Sequence, residues 1–187
     1  IRGYFNFTSN DPNAHFGVVK DILDTGRTSQ FNFYPAMHLL LAQISLVSGM
    51  PAEVIVRLLP ALLSVMYMIS IVLLARVVFE DRQRVMLVAA ASAPLLFGIF
   101  HISIYPRAFG QLLLPLALWL YFKAGQRPQV SYKVPFVLIL MAFTFSHPWP
   151  ALYLVAFLGS VEIARAFTNW TMGRERAPAS PHPLRGI

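Results

Sequence analysis

Apolar residues fall in long runs along this chain, separated by short polar breaks. Val85 to Ile104 is a stretch of 20 residues without an acid, a lysine or an arginine, and a helix needs about 20 apolar residues to cross a bilayer. Val54–Phe79 is a second such run, with Arg57 near one end and Arg76 near the other. Ala108–Phe122 is a third and shorter one. The breaks are Glu80-Asp81-Arg82-Gln83-Arg84, Tyr105-Pro106-Arg107, and a basic stretch from Lys123 to Lys133 that contains Pro128. This alternation predicts an all-α integral membrane protein, a multi-span helical bundle with spans at about 54–79, 85–104 and 108–122.

Val134 to Ala166 admits two readings, one long kinked helix or a hairpin of two short helices folded at Ser146-His147-Pro148-Trp149-Pro150. Lys133 precedes the segment, and Arg165, Arg174 and Arg176 follow it. A hairpin, 134–146 and 149–166, puts both basic ends on one side, as the positive-inside rule prefers. The hairpin is therefore the favoured reading.

The first 53 residues are more polar and carry Asp11, Asp21 and Asp24. Asp11-Pro12 reads as a helix cap followed by a first-turn proline. Val18, Val19, Ile22 and Leu23 recur at helical spacing, and Gly26 is a natural stop. This predicts an amphipathic helix over about 12–25. Phe31, Phe33 and Tyr34 follow, and Tyr34-Pro35 starts a second helix running to Gly49. That helix is too short to span, which suits an interfacial position. Residues 1–53 thus form an extracytoplasmic first loop with two short amphipathic helices, and 54–166 the bundle. Residues 167–187 form a cytoplasmic basic tail, rich in Pro, Arg and Ser from Arg174 on and expected to be disordered.

Composition strengthens the membrane reading. The chain is 57% hydrophobic and only 12% charged, whereas soluble domains carry about 25% charged residues. The formal charge of +7 comes from basic residues set between apolar runs rather than in one stripe. That pattern argues for membrane orientation and against a nucleic-acid partner. Cysteine is absent, which excludes disulfides and thiolate metal sites. The chain begins at Ile1 with no signal-peptide pattern, so a fragment lacking an upstream helix is expected.

On this topology the Lys and Arg residues of the 80–84 and 123–133 loops face the cytoplasm. Asp11, His15, Tyr34, His38, His101, Tyr105, Arg107, His147 and Trp149 collect on the outer side. Asp11 is either an ordinary cap, stabilising by about 1 kcal/mol, or a carboxylate base or metal ligand at a membrane-surface cavity. His15 lies one helical turn further on, where the pair can hydrogen-bond or share a cation. Arg107 offers a planar fork of donors suited to phosphate, or snorkels to headgroups. His101, inside an apolar run, is expected to face the bundle interior. His147 stands at a bend that two prolines impose. Glu162 and Arg165 make a local ion pair. Asn6-Phe7-Thr8 and Asn169-Trp170-Thr171 match the N-glycosylation pattern but carry no argument here. There is no phosphate-binding GxxxxGK loop, GxGxxG, HExxH or GxSxG, no run of intramembrane acids, and no repeated broken helix.

Asp11-Pro12-Asn13-Ala14-His15, then Gly26, then Tyr34-Pro35, in an outer loop followed by short hydrophobic hairpins, resembles the C-type (GT-C) superfamily of integral membrane glycosyltransferases. The Asp-Pro-x-x-His string is similar to the first outer loop of archaeal oligosaccharyltransferases. The polar turn at Ser146-His147 resembles one found in protein mannosyltransferase-like members. The resemblance covers about residues 10–165. It implies transfer of a sugar from a polyprenyl-phosphate-linked donor to an acceptor outside the cytoplasm, in the plasma membrane of a prokaryote, with membrane lipid around it. It implies a catalytic or metal-associated role for Asp11. On this reading Arg107, His147, Tyr105, His15 and His101 contact the donor phosphate or the acceptor. A divalent metal, Mg²⁺ or Mn²⁺, would sit at Asp11 and His15. The acidic motif of the second outer loop of oligosaccharyltransferases is missing between His101 and Arg107, so a general member of the superfamily fits better. The competing expectations are a transporter or channel component, or a non-catalytic scaffold.

Single cysteines at positions 13, 82, 128 and 147 test this topology in a chain with none of its own. Positions 13 and 147 are expected to react with an impermeant thiol reagent from outside, and 82 and 128 only after the membrane is opened. Labelling of 82 or 128 from outside overturns it.

Overall fold

A computed structural model describes residues 10–97, 105–126 and 129–175. Within them the chain forms seven α-helices and no strand. These are α1 (Asn10–Thr25), α2 (Ala36–Ser48), α3 (Ala52–Val78), α4 (Arg82–Ser92), α5 (Pro106–Gln126), α6 (Val130–Ser146) and α7 (Pro148–Glu175), with a 3₁₀ segment over Ala93–Phe97 after α4.

Local chemistry sets the ends. Gly26 and Gly49 adopt left-handed backbone, φ 69° and 67°, which costs glycine little. Their N–H groups donate to the carbonyls of Ile22 and Ser45, both at 2.9 Å, closing α1 and α2. Asp81 caps α4 by accepting from the Gln83 N–H at 3.0 Å. α1 begins at Asn10, so Asp11 lies inside the first turn rather than ahead of it.

Among the described residues, three helices are long and apolar enough to cross a membrane: Ala52–Val78, Pro106–Gln126, and Pro148–Thr171 within α7. In α3 both faces are apolar. Ile55, Leu59, Leu63 and Tyr67 are buried, while Leu58, Leu62, Val65, Met66 and Ile69 are exposed. A helix apolar all round needs an apolar surrounding on its outer face too.

The expected span at 85–104 takes a different form. The α-helix ends at Ser92 and tightens into the 3₁₀ segment. Pro94 explains this, because it has no N–H to give the carbonyl four residues back. Residues 98–104 lie outside the described residues. Residues 134–166 fall in two helices broken at His147, whose backbone is extended, φ −178° and ψ 145°. α7 continues through Glu175, so 167–175, expected in the tail, are helical. Residues 176–187 lie outside the described residues.

The chain divides into two units, residues 1–152 and 153–187. In the first, α5 is the central element. It packs against α3, α6 and α2, while α1 packs on α2 and α4 on α3. Half of the apolar window of α5 is buried, against 33% for α3. Ala108, Leu112, Ala117 and Leu118 form its core face. α1 is tied on by Val19 and Ile22, both buried, and by Lys20, paired with Glu53 of α3 at 3.1 Å. The second unit is the remainder of α7, with Val155, Ile163, Phe167 and Trp170 exposed and Arg165 paired with Glu162 at 2.8 Å.

One close approach fixes the turn between α6 and α7 on α5. A Cβ at Gly110 would stand 2.6 Å from Pro150 Cβ, 2.7 Å from Pro150 Cγ and 3.0 Å from Ser146 Oγ. Ser146 is fully buried, with its hydroxyl donating to the Phe143 carbonyl at 3.0 Å. Gly110→Ala is expected to destabilise the protein by about 1–3 kcal/mol, because a proline ring cannot swing aside. Thermal unfolding in detergent measures it. Gly17→Ala in α1, with nothing within 4 Å, serves as the control and is expected to leave the melting temperature unchanged or slightly raised.

Candidate functional site

A set of polar side chains from separate parts of the first unit lies together. α1 supplies His15, the loop before α2 supplies Asn32 and Tyr34, and α2 supplies His38. The start of α5 supplies Tyr105 and Arg107, and the α6–α7 turn supplies His147. Each arrives for a local reason. Pro35 starts α2 directly after Tyr34, so the tyrosine lies at the helix entrance. Pro106 starts α5 and sets Tyr105 and Arg107 on either side of that start. His147 is held by the break between helices, its Nδ1 accepting from the Trp149 N–H at 3.2 Å.

The contacts are close. His15 Nδ1 lies 3.0 Å from His38 Nε2, and Asn32 Nδ2 lies 3.2 Å from His38 Nδ1. Asn32 Oδ1 accepts from the Tyr34 N–H at 3.3 Å. The His15 ring stands edge-on to Tyr105 at 6.3 Å between centroids. The Tyr34 ring lies against His147 at 4.8 Å. The Nε of Arg107 is buried, and its charge is felt at His147 together with that of His15.

These surroundings favour the neutral form of two imidazoles, His38 and His147. His38 is 2% exposed, and burial pushes its pKa down to about 4, helped by His15 and opposed by the Tyr34 carbonyl. His147 is lowered too, first by burial, then by Arg107, then by His15. Arg107 thus supplies a cation beside two imidazoles that favour the neutral form. Such a set suits an anion with several oxygens, because Arg107 supplies charge in a fixed fork and the imidazole and phenol groups supply directed donors.

An open groove of about 480 Å³ lies beside these residues. Pro35, Leu39, Leu40, Phe109, Ala142 and Phe145 are among its walls, and Gln43 adds a polar group. Pro35 follows Tyr34, Phe109 is two residues after Arg107, and Phe145 is two before His147. The groove is mostly apolar, and it is lined by chain neighbours of the polar residues rather than by those residues themselves.

Of the residues singled out from sequence, His15, Tyr105, Arg107 and His147 lie together here. His101 lies outside the described residues. Asp11 lies in α1 one turn before His15, with its side chain outside the described part. Tyr34 and His38 carried no assigned role from sequence, and Asn32 was not noticed. The signal for Asn32 was its place two residues before Tyr34, where a short amide side chain folds back on the backbone. Among the described residues, no three His, Cys, Asp or Glu side chains converge as a metal site. The carboxylate of Asp11, which the expected Mg²⁺ or Mn²⁺ would need, lies outside the described part.

The helices and these residues define an all-helical membrane protein with a polar site. Residues 7–185 match a family of unknown function, DUF6541, and the chain belongs to that family. No curated protein matches the chain. No solved structure matches it either.

The lowered pKa of His38 predicts a pH-dependent stability. The unfolded chain takes up a proton near the ordinary value of 6.5, and the folded chain only near 4. Stability is therefore full above pH 6.5, falls as pH drops from there towards 4, and levels off below. His147 contributes in the same direction. Denaturant unfolding in detergent at pH 7.5 and 5 is expected to show the loss, with a smaller difference in His38→Gln.

Proposed function

We propose that this chain is the membrane core of a GT-C-like glycosyltransferase. It takes a sugar from a polyprenyl-phosphate-linked donor and passes it to an acceptor at the extracytoplasmic face of a prokaryotic plasma membrane. The observation that carries the proposal is the gathering of Arg107, His147, His15 and Tyr105, from three separate parts of the chain, beside an apolar groove. A polyprenyl phosphate has the matching form, a charged head on a hydrocarbon tail.

In this reading the acceptor hydroxyl oxygen attacks the anomeric carbon. The bond from that carbon to the phosphate oxygen breaks, and its electron pair leaves with the polyprenyl phosphate. Asp11 takes the acceptor's proton as general base. Arg107 and His147 stabilise the growing charge on the departing phosphate, which a preorganised cationic site does well. His15 and Tyr105 add donors, and His101 is a further candidate contact. The groove between α2, α5 and α6 takes the tail. No step is routed through a metal.

The rival readings are a transporter or channel component and a non-catalytic scaffold. A through-path needs polar residues along the length of the spans, whereas α3 and α5 are apolar over most of theirs.

Transfer from a panel of undecaprenyl-phosphate-linked monosaccharides, measured in membranes holding the full-length protein, tests the proposal. Arg107→Gln is expected to lower the rate by about 10²-fold or more, and Asp11→Asn to abolish it at unchanged expression. Wild-type rates from both variants would exclude the enzyme reading.

A further inference from the structure

We infer that Phe31 and Phe33 insert into the lipid bilayer at one membrane boundary, and that this anchor holds Asn32 and Tyr34 of the same loop against the polar site. The partner is lipid, and the inference does not depend on the sugar-transfer reading.

Three contacts place the loop. The helices able to cross a membrane begin at Ala52, Pro106 and Pro148, and each beginning is met by the segment 15–34. Lys20 pairs with Glu53 at 3.1 Å. The His15 ring meets that of Tyr105, one residue before Pro106. The Tyr34 ring lies 4.8 Å from that of His147, one residue before Pro148. His15 and Lys20 are five residues apart, about 7.5 Å along α1. His15 and Asn32 bond to the same side chain, His38. These links are all much shorter than a hydrocarbon core of about 30 Å. The three beginnings therefore lie at the same side of the membrane, and the loop before α2 lies level with them.

Along that loop exposure alternates. Phe31 is 75% exposed and Phe33 74%, whereas Asn32 and Tyr34 are half-buried. The inner pair reaches the site, Asn32 to His38 at 3.2 Å and Tyr34 to His147. The phenyl rings stand out on the other side. Their base is fixed: the Phe31 N–H donates to the Ser29 hydroxyl at 3.3 Å, the Asn32 N–H to the Ser29 carbonyl at 3.0 Å, and the Tyr34 N–H to Asn32 Oδ1. Two apolar rings on a fixed base at a membrane boundary lower their free energy by entering the hydrocarbon beside them. Phenylalanine has no polar tip to keep among the headgroups, so the rings go beneath them. The other candidate cover is a protein. Two aromatic side chains offer at most about 500 Å², against about 800 Å² on each partner of a stable complex. The chain just before them, Arg27-Thr28-Ser29-Gln30, is polar and exposed, which adds nothing apolar to the patch.

The sequence holds no cysteine, so single cysteines at positions 30, 31 and 33 can each carry a nitroxide label. The full-length protein is placed in nanodiscs of phosphatidylcholine and phosphatidylglycerol. Collisions are measured with oxygen, which concentrates in the bilayer, and with a nickel chelate, which stays in water. Labels at 31 and 33 are expected to favour oxygen, and the label at 30 to favour nickel. A preference for nickel at 31 and 33 would place them in water, and shielding from both reagents would mean a protein cover; either overturns the anchor. The holding role is read from amide hydrogen exchange in the same nanodiscs. The double variant Phe31→Ser, Phe33→Ser is expected to exchange about 10-fold faster or more at the Asn32 and Tyr34 amides, with α5 unchanged. Phe31→Leu, Phe33→Leu keeps an apolar surface and is expected to stay near wild type. Equal acceleration in both double variants, or none in the serine variant, overturns the holding role. Should the double serine variant fail to fold, Phe31→Ser and Phe33→Ser are read singly in the same way.

Discussion

The absence of a side chain at Gly110 holds this arrangement together. Pro150 and Ser146 approach α5 more closely than any other residue there would allow. That contact seats the α6–α7 turn on the central helix three residues from Arg107. His147 lies in the turn and cannot move independently of it. Its neighbours Ser146 and Pro150 are both buried, and its backbone is the extended link between two helices. A single backbone approach thus sets the separation between the cation on α5 and the imidazole on the turn.

The other half of the polar site is held by directed hydrogen bonds rather than by packing. Asn32 is bonded to the backbone on one side and to His38 on the other, and His38 in turn reaches His15 on a different helix. Buried polar groups that satisfy one another in sequence are costly to rearrange. His38, buried and bonded on both sides, thus links the loop before α2 to α1. α1 is fastened to the first unit twice, by apolar contact with α2 and by Lys20 to Glu53 of α3.

Much of the architecture was legible from residue types. The stops at Gly26 and Gly49, the helix starts near Pro35 and Pro106, and the break at His147 all follow from what glycine and proline do to a backbone. Within the run from Val85, hydropathy does not record that Pro94 interrupts the helical ladder, so the change to a 3₁₀ segment was not legible. The end at Glu175 was missed for the opposite reason. Polar residues such as Thr168, Asn169 and Thr171 read as a tail, yet the helix already under way continues through them, since propagation costs less than nucleation. In the site, His15, Tyr105, Arg107 and His147 stood out as polar residues at the ends of apolar runs. Asn32 and the role of His38 did not, because their significance lies in partners that sequence spacing does not show.

By itself the sequence determined that this is a bundle of apolar helices with its polar groups at the breaks. That much depends on local properties, on hydropathy and on the backbone limits of glycine and proline, which neighbours in space do not alter. Only the tertiary structure decided which breaks come together and which way the hydrogen bonds run. Both depend on distances of about 3 Å between residues far apart in the chain, and such distances exist only once the helices have packed.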